Sequence, residues 1–504
     1  MSRDYVMGVD IGTYQTKGVI CNLAGDVIAS RVSDHRLLTP NPGWAEHDPH
    51  QDWWEGLCEI TKGLLKDTGI ERSGLKGICC STVAAGIIPV DKKFIPLRNA
   101  LLYGIDTRCS KEIEYLNGVI GQDRILENCK EALSHESYGP KMLWIKNNEP
   151  DIYRRTACFT ISQSFLNARL TGNNVVDYYS ASGAHPLFNY DRLDWSPEMC
   201  GYVVPQEQLP RLAAATDIIG YVTKAAAEQT GLGAGTPVAC GTTDAGAEAL
   251  SVGVMEPGDM MIMYGSTIYI LYLSDKPPAK TSLSIAPYVV KGLTGLCAGT
   301  ATSGSLTRWI RDNLAAELVE AEERGGENAY DRLFDMIRSV PPGSDGVVVL
   351  PYFYGERMPV CDPDAKGIIF GLKLSHTKGH IFRAALEGIA FGIEQCLALY
   401  RKSGLKIEGA TAVGGGARNS AWMQMVSDIC GLEQHIPQVL QGASYGDAMI
   451  AALALGALEP KELKKWIKIR SRTVPDHQTS ARYAVNRKIY NGLYQVNKQL
   501  MHLK

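Results

Sequence analysis

No uninterrupted apolar run in the 504 residues approaches the roughly 18 that a membrane-crossing helix needs. The opening residues, MSRDYVMGVDIG, lack the apolar stretch and cleavage site of a secretory signal. Excess charge of one sign is missing too. Lys and Arg number 51 against 54 Asp and Glu, a net of -3, which offers no footprint for nucleic acid or an anionic membrane. The 13 cysteines are scattered singly apart from Cys79-Cys80 and form no C-x-x-C pair or zinc spacing. Free thiols in a reducing compartment follow, so the expected location is the cytoplasm. The G-x-x-x-x-G-K-[ST] loop and the protein-kinase motif set are both absent. At 45% hydrophobic and 21% charged residues, the chain still has core enough for two or more globular domains.

Glycine is plentiful, with 51 residues that cluster just after apolar segments. Five clusters stand out: GTYQTKG (12–18), GLGAGTPVACGTTDAGAEAL (231–250), YGSTIY (264–269), GGGARNS (414–420) and GASYGDA (442–448). Glycine lets a backbone approach a ligand closely, so repeated strand–glycine–polar turns suggest ligand-facing loops. Ordinary turns of an α/β chain need glycine as well. Two clusters repeat one scheme: MGVDIGTYQTKGVICNL and MMIMYGSTIYILYL each read strand, tight Gly-Thr or Gly-Ser-Thr turn, strand. They lie half a chain apart, and each opens a domain. Pro257-Gly258 in SVGVMEPGDM marks the boundary, giving domains 1–254 and 255–504. GLGAGT leads into Pro237 and a strand rather than a helix, so it reads as a turn and not a dinucleotide fingerprint.

Strands and helices alternate as a mixed α/β fold requires. HQDWWEGLCEITKGLLKD (50–67) puts Trp53, Leu57, Ile60 and Leu64 on one helical face. LKGICCSTVAAGIIPV (75–90) is a buried strand or strand pair, and NALLYGIDTR (99–108) a further strand running into Asp106 and Arg108. HIFRAALEGIAFGIEQCLALY (380–400) is a core helix in which Gly388 and Gly392 admit a close neighbour. NSAWMQMVSDICG (419–431) starts at an Asn/Ser cap and stops at glycine. The basic tail after 460 reads as a solvated face and a closing helix.

Turns rich in Gly, Ser and Thr present N–H groups and hydroxyls that suit phosphate oxygens. Lys17 either adds positive charge there or is a solvated strand-end residue. Asp10, just before the first turn, is suited to hold Mg²⁺ through water, since that ion takes oxygen ligands and keeps its waters. A turn-forming aspartate is the alternative. Asp244 lies at a strand-to-helix junction among small residues. It reads as a helix N-cap, or as a carboxylate that accepts a hydroxyl proton while that oxygen attacks phosphorus. Such a transfer asks more for positioning than for a strong base.

The ordered set GVDIGT, KMLWIKNNEPDIY, CGTTDAGAEAL, YGST, YFYGERMP and AVGGGARNSAWMQ resembles the FGGY carbohydrate kinases over residues 5 to about 460. The resemblance implies two actin-like, ribonuclease-H-like ATPase domains around a central cleft, often as a homodimer. It implies ATP bound mainly by the C-terminal domain and a small sugar or polyol mainly by the N-terminal one. Asp244 maps to the general base and Asp10 to the Mg²⁺-associated carboxylate. Gly12, Thr13, Gln15, Thr16 and Lys17 map to the first phosphate loop, and Gly265, Ser266 and Thr267 to its partner. Gly414, Gly415, Gly416 and Asn419 map to the adenosine-binding turn. Asp106 and Arg108 align with a segment that contacts acceptor hydroxyls, with Tyr103 or Gly104 where tryptophan is usual. A Met-His pair that touches the sugar is replaced by Ala84-Ala85, a roomier and less polar wall. NPGWAEHDP (41–49) carries His47 where relatives have glutamine, and Trp44 could stack on a sugar face or sit in the core. The implied activity is ATP-dependent phosphorylation of a ketose such as a pentulose. Another polyol, a tetrulose or an aldonate is the alternative acceptor. An actin-like ATPase switch with no small acceptor is the alternative class.

Overall fold

The computed structural model describes residues 4–84, 86–278, 280–439 and 441–503. It divides into two compact units. The first comprises residues 1–255, 285–295 and 441–467; the second comprises 256–284, 296–440 and 468–504. The boundary expected at 254/255 therefore falls one residue from the end of the first unit's long segment. Two later segments also pack with that unit.

The first unit is built on a seven-stranded sheet. Its first three strands are β1 (Tyr5–Ile11), β2 (Gln15–Asn22) and β3 (Val27–Asp34), joined as an antiparallel meander. The helix α1 (Gly56–Thr68) follows, entered through a π-helical turn over Pro49–Glu55. Next, β4 (Leu75–Thr82) pairs parallel with β1. β5 (Ile218–Tyr221) and β6 (Pro237–Ala239) complete the order β5-β6-β4-β1-β2-β3. Thr242–Thr243 adds a short parallel pairing to β4 just before α2 (Asp244–Ser251).

Alternation along β1 decides what each face carries. Met7, Val9 and Ile11 point to one face, into a cluster with Trp53, Leu57, Ile60 and Leu64. The expected helical face is thus the buried one. Gly8 and Asp10 point the other way, toward a helix from near the end of the chain, Ala443–Ala454, here called the returning helix. That helix lies so close that a Cβ on Gly8 would sit 2.0 Å from the Ser444 carbonyl oxygen. Its Gly446 meets α2 in the same way, with a Cβ position 1.9 Å from the Ala247 oxygen. Both contacts exist only because a side chain is missing.

Gly446→Ala is therefore expected to cost about 3 kcal/mol or more, seen as lost soluble yield or a lower melting temperature. Gly492, in the closing helix Ala484–Met501, has nothing within 4 Å of its Cβ position. Gly492→Ala should be neutral or add up to about 1 kcal/mol in the same assay.

The second unit repeats the hairpin design. β7 (Met260–Tyr264) pairs antiparallel with β8 (Ile268–Ser274) and parallel with β9 (Ala410–Val413). The helices α3 (Gly304–Leu314), α4 (Lys378–Lys402) and α5 (Ser420–Cys430) belong to this unit. In α4, Gly388 does admit a close neighbour: its Cβ position is 2.2 Å from the Val349 oxygen. α5 starts where its sequence says. Asn419 accepts the Trp422 N–H at 2.9 Å, and Gly431 ends the helix in the left-handed conformation.

NALLYGIDTR departs from the expected strand, pairing only at Ala100–Leu101. Beyond that point the Asp106 carboxylate accepts the Ala45 N–H at 2.8 Å and two nitrogens of Arg108, which draws the chain into turns. All thirteen cysteines are free. Among the described residues no helix is long and apolar enough to cross a membrane.

Candidate active site

Strand register assembles the centre of the first unit. Asp10 pairs with Lys17 on β2 and with Ser81 on β4, and Ser81 pairs with Thr242. The row lies near the carboxyl ends of the parallel strands β1 and β4, where open α/β sheets place their ligands. Asp244 follows two residues after Thr242, as the first residue of α2. The returning helix adds Asp447, fully buried, on the face that Gly8 leaves open.

Ser81 lies between two carboxyl groups. Its Oγ is 3.1 Å from Asp10 Oδ1 and 2.7 Å from Asp447 Oδ2. A serine hydroxyl has one hydrogen, so it can donate to only one of them. The other carboxyl must carry a proton and donate to Ser81. Burial pushes both acids upward, Asp10 to about 8 and Asp447 well above the carboxylate range, with Asp10 as a further cause for Asp447. Asp447 is the natural holder of that proton. Cys79 also approaches it, at 3.7 Å.

Four buried acids share the site, and burial favours their protonated forms. Burial raises Asp244 to about 6 and Glu248, one helical turn further on, to about 7. The Ala443 N–H at the start of the returning helix donates to Glu248 and lowers it in part. Lys17 is the cation that offsets Asp10 and Glu248. A cation bound here would favour the charged forms of these acids. Among the described residues no group of three or more His, Cys, Asp or Glu side chains could hold a metal by itself.

The two readings of Asp244 separate here. Thr243 caps α2, its hydroxyl accepting the Gly246 N–H. Among the described residues the Asp244 carboxylate takes only the N–H of its own neighbour Ala245, at 2.8 Å. The helix start does not need Asp244 as its cap.

The first glycine turn closes through Gly12 N–H to the Gln15 carbonyl at 2.9 Å. Thr13 is held through its hydroxyl, 3.0 Å from Tyr103 Oη, and Gln15 donates to Asp34. Lys17 is exposed on the Asp10 face. Thr16 corrects the expectation: strand alternation turns its side chain to the α1 side, fully buried against Gly56.

Asp106 and Arg108, expected near the acceptor, are tied into a buried ion-pair network. Both side chains are buried, and Arg108 bonds Asp106 at 2.6 Å and Glu46 at 2.8 Å. The Arg108 guanidinium lies over the Trp44 ring, 3.9 Å from its centroid, and covers one face of it. Lys141 donates to the Asp106 carbonyl at 2.9 Å. Together these contacts hold the loop bearing Trp44. Ala84 sits half-buried in the turn after β4; Ala85 lies outside the described residues.

The remaining expected donors form a separate cluster in the second unit. Gly265, Ser266 and Thr267 make the turn between β7 and β8. The start of α3 clasps it: Gly304 N–H donates to the Gly265 oxygen at 3.0 Å, and the Ser303 and Ser305 N–H groups donate to the Ser266 oxygen. Gly414 has φ of 89° and runs against Tyr264, where a Cβ would lie 2.7 Å from a carbonyl oxygen. Gly415 is exposed, Gly416 packs on Trp422 and Tyr264, and Asn419 caps α5. Both turns therefore meet at Tyr264.

Reading along the chain missed Ser81, Glu248, Asp447 and the Ser303–Ser305 clasp. GASYGDA was visible as a glycine cluster, but nothing local aims Asp447 at Asp10.

The model of the FGGY family of carbohydrate kinases matches residues 5–251 with its N-terminal domain and 260–455 with its C-terminal domain. Xylulose kinase of Bacillus subtilis is 27% identical over 501 residues, covering 98% of each protein. Gluconokinase of the same species is 28% identical over 458 residues, covering 90% of this chain and 88% of the relative. The crystal structure of xylulose kinase from Rhodospirillum rubrum matches with a TM-score of 0.90 at 28% identity, covering 99% of this chain and all of that one. Both halves of the sequence, the two-unit actin-like architecture and the carboxylate cluster lead to one assignment: the chain belongs to the FGGY family of carbohydrate kinases.

Proposed function

We propose that this carbohydrate kinase phosphorylates a hydroxyl of a pentulose-like ketose, with MgATP as donor and Asp244 as general base. The observation that carries the reading is a carboxylate freed from capping by Thr243, among residues too small to cover it. In the reaction the acceptor hydroxyl gives its proton to Asp244 as its oxygen bonds to the γ-phosphorus, and ADP leaves with the bridging oxygen. Asp10 would hold Mg²⁺ through water, with Ser81 fixing its carboxylate. When bound, the ion neutralises charge on the phosphate oxygens. Gly12, Thr13, Gln15 and Lys17 supply phosphate donors from the first unit. Gly265, Ser266, Thr267, Gly414, Gly415, Gly416 and Asn419 hold the nucleotide in the second. Thr16, Asp106 and Arg108 support this machinery from behind, and Ala84 contributes a small, apolar wall to the acceptor site. Placement in the cytoplasm belongs to the same proposal, supported by thirteen free thiols.

An aldonate is the second reading, because the gluconokinase relative is as similar as the xylulose kinases. ADP release is the decisive assay, run over ketopentoses, tetruloses, pentitols, gluconate and glycerol. Highest kcat/KM on a ketopentose supports the first reading, and highest on gluconate supports the second. ADP formed at one rate with or without every acceptor would sink both and favour an ATPase switch.

A further inference from the structure

The phosphate turn is held from behind by a histidine whose protonation is dictated by its neighbours. His47 is fully buried in the short strand Glu46–His47. The Trp53 indole N–H donates to His47 Nδ1 at 3.1 Å, and His47 Nε2 lies 3.0 Å from the Thr13 carbonyl oxygen. An indole N–H can only donate, so Nδ1 is the acceptor and bears no hydrogen. In the neutral ring the hydrogen is then on Nε2, which donates to Thr13. Burial, together with the neighbouring His35 ring 4.9 Å away, lowers His47 to about 4 and keeps it neutral at ordinary pH.

The consequence for the turn follows from peptide geometry. In a planar trans peptide the C=O and N–H point in opposite directions. Tying the Thr13 carbonyl to His47 therefore turns the Tyr14 N–H away from His47, out of the hairpin's supported side. Tyr103 restrains the same residue through the Thr13 hydroxyl.

We infer that His47 is a positioning residue: it sets the Thr13–Tyr14 peptide so that the Tyr14 N–H is presented to a phosphate oxygen of the donor. This rests on the reading of the Gly12–Gln15 turn as a phosphate loop. Trp53 is the part that fixes the tautomer. Glutamine can reproduce both contacts, because its amide carries an acceptor and a donor, whereas leucine reproduces neither.

The test compares binding of the non-hydrolysable β,γ-imido analogue of ATP, with Mg²⁺, against binding of adenosine, by calorimetry. His47→Leu should weaken the analogue about tenfold, the effect of orphaning one buried carbonyl, and leave adenosine within about twofold. His47→Gln should restore analogue binding to within about threefold of the parent. Equal losses for analogue and adenosine, or a His47→Gln variant as impaired as His47→Leu, would overturn the inference. Gly12→Val separates the underlying reading. If Gly12→Val leaves analogue binding intact, the turn is not a phosphate loop. If Gly12→Val abolishes analogue binding and His47→Leu does not change it, only the role of His47 fails. Should His47→Leu not fold, ¹⁵N-histidine spectra of the unaltered protein decide. The Nε2–H tautomer at His47, with a Tyr14 amide that shifts on adding analogue, supports the inference. The Nδ1–H tautomer overturns it.

Discussion

Asp244→Ala is expected to lower kcat by about 10²–10⁴-fold, the usual worth of a positioned general base, while the protein stays folded. Folding survives because Thr243 caps α2, and among the described residues Asp244 bonds only to the N–H of its own neighbour. Alanine is also a good residue for a first helical turn. KM for ATP should change little, because the lost group acts on the acceptor hydroxyl. The pH profile supplies a second signature. Burial holds the Asp244 carboxyl near 6, and a base must be deprotonated to work. The kcat/KM of the unaltered protein should thus climb as pH rises through about 6 and level off above it. Asp244→Asn should abolish that limb along with the activity. Circular dichroism and melting curves on the same samples exclude unfolding as the cause. A variant with full activity would return Asp244 to a structural role.

Asp10→Asn is expected to gain stability while losing activity. Asp10 is raised from an ordinary carboxylate value to about 8, with burial the first cause and Asp244 the second. The folded protein therefore binds a proton there that the unfolded chain releases above about 4. Stability tied to this group is complete at pH below 4, declines as pH rises, and is lost once pH passes about 8. A tenfold difference in proton affinity between the folded and unfolded chain is worth about 1.4 kcal/mol, so by pH 7 the deficit is on the order of 4 kcal/mol. Asparagine keeps the shape and removes the titration. The transition of the first unit should rise by several degrees at pH 8, and the gain should shrink toward nothing near pH 4.

His47 and His185 act in the opposite direction. Both are lowered to about 4 by burial, so their contribution is intact above pH 6.5 and lost as pH falls through 4. They are common to both proteins and cancel in the difference. Mg²⁺ with nucleotide should narrow the gap, because binding stabilises the parent more than a variant lacking the carboxylate. Scanning calorimetry at pH 5 and 8 reads all of this. A lower melting temperature for Asp10→Asn at pH 8 would mean that the Asp10 carboxylate does not cost the fold stability. This trade is the usual one for an active site, where preorganised charge is retained against stability.

Much of this architecture is legible in the residue order. The two glycine-broken hairpins, the Trp53–Leu64 face of α1, the caps at Asn419 and Gly431 and the close neighbour at Gly388 are written in short windows. Spacing and rotamer direction act within a turn or two, so a window suffices. Asp10 and Asp244 were also legible, each as a carboxylate at the end of an apolar strand. Thr16 could have been placed correctly from alternation alone, since Asp10 pairs with Lys17 and the adjacent side chain must face away.

What tertiary structure alone decided is the company these residues keep. Ser81 reaches a carboxylate 366 positions further along the chain, and no local pattern specifies such a pairing. It depends on parallel register between β1 and β4, and on Gly8 and Gly446 allowing the returning helix to pack at backbone distance. The Asp106 network likewise overrode strand propensity, because a buried carboxylate must be satisfied wherever its donors lie. Apolar periodicity selects a face and a period, but it does not choose which distant element covers that face. In this protein the chosen partner brings a fourth carboxyl group to the site.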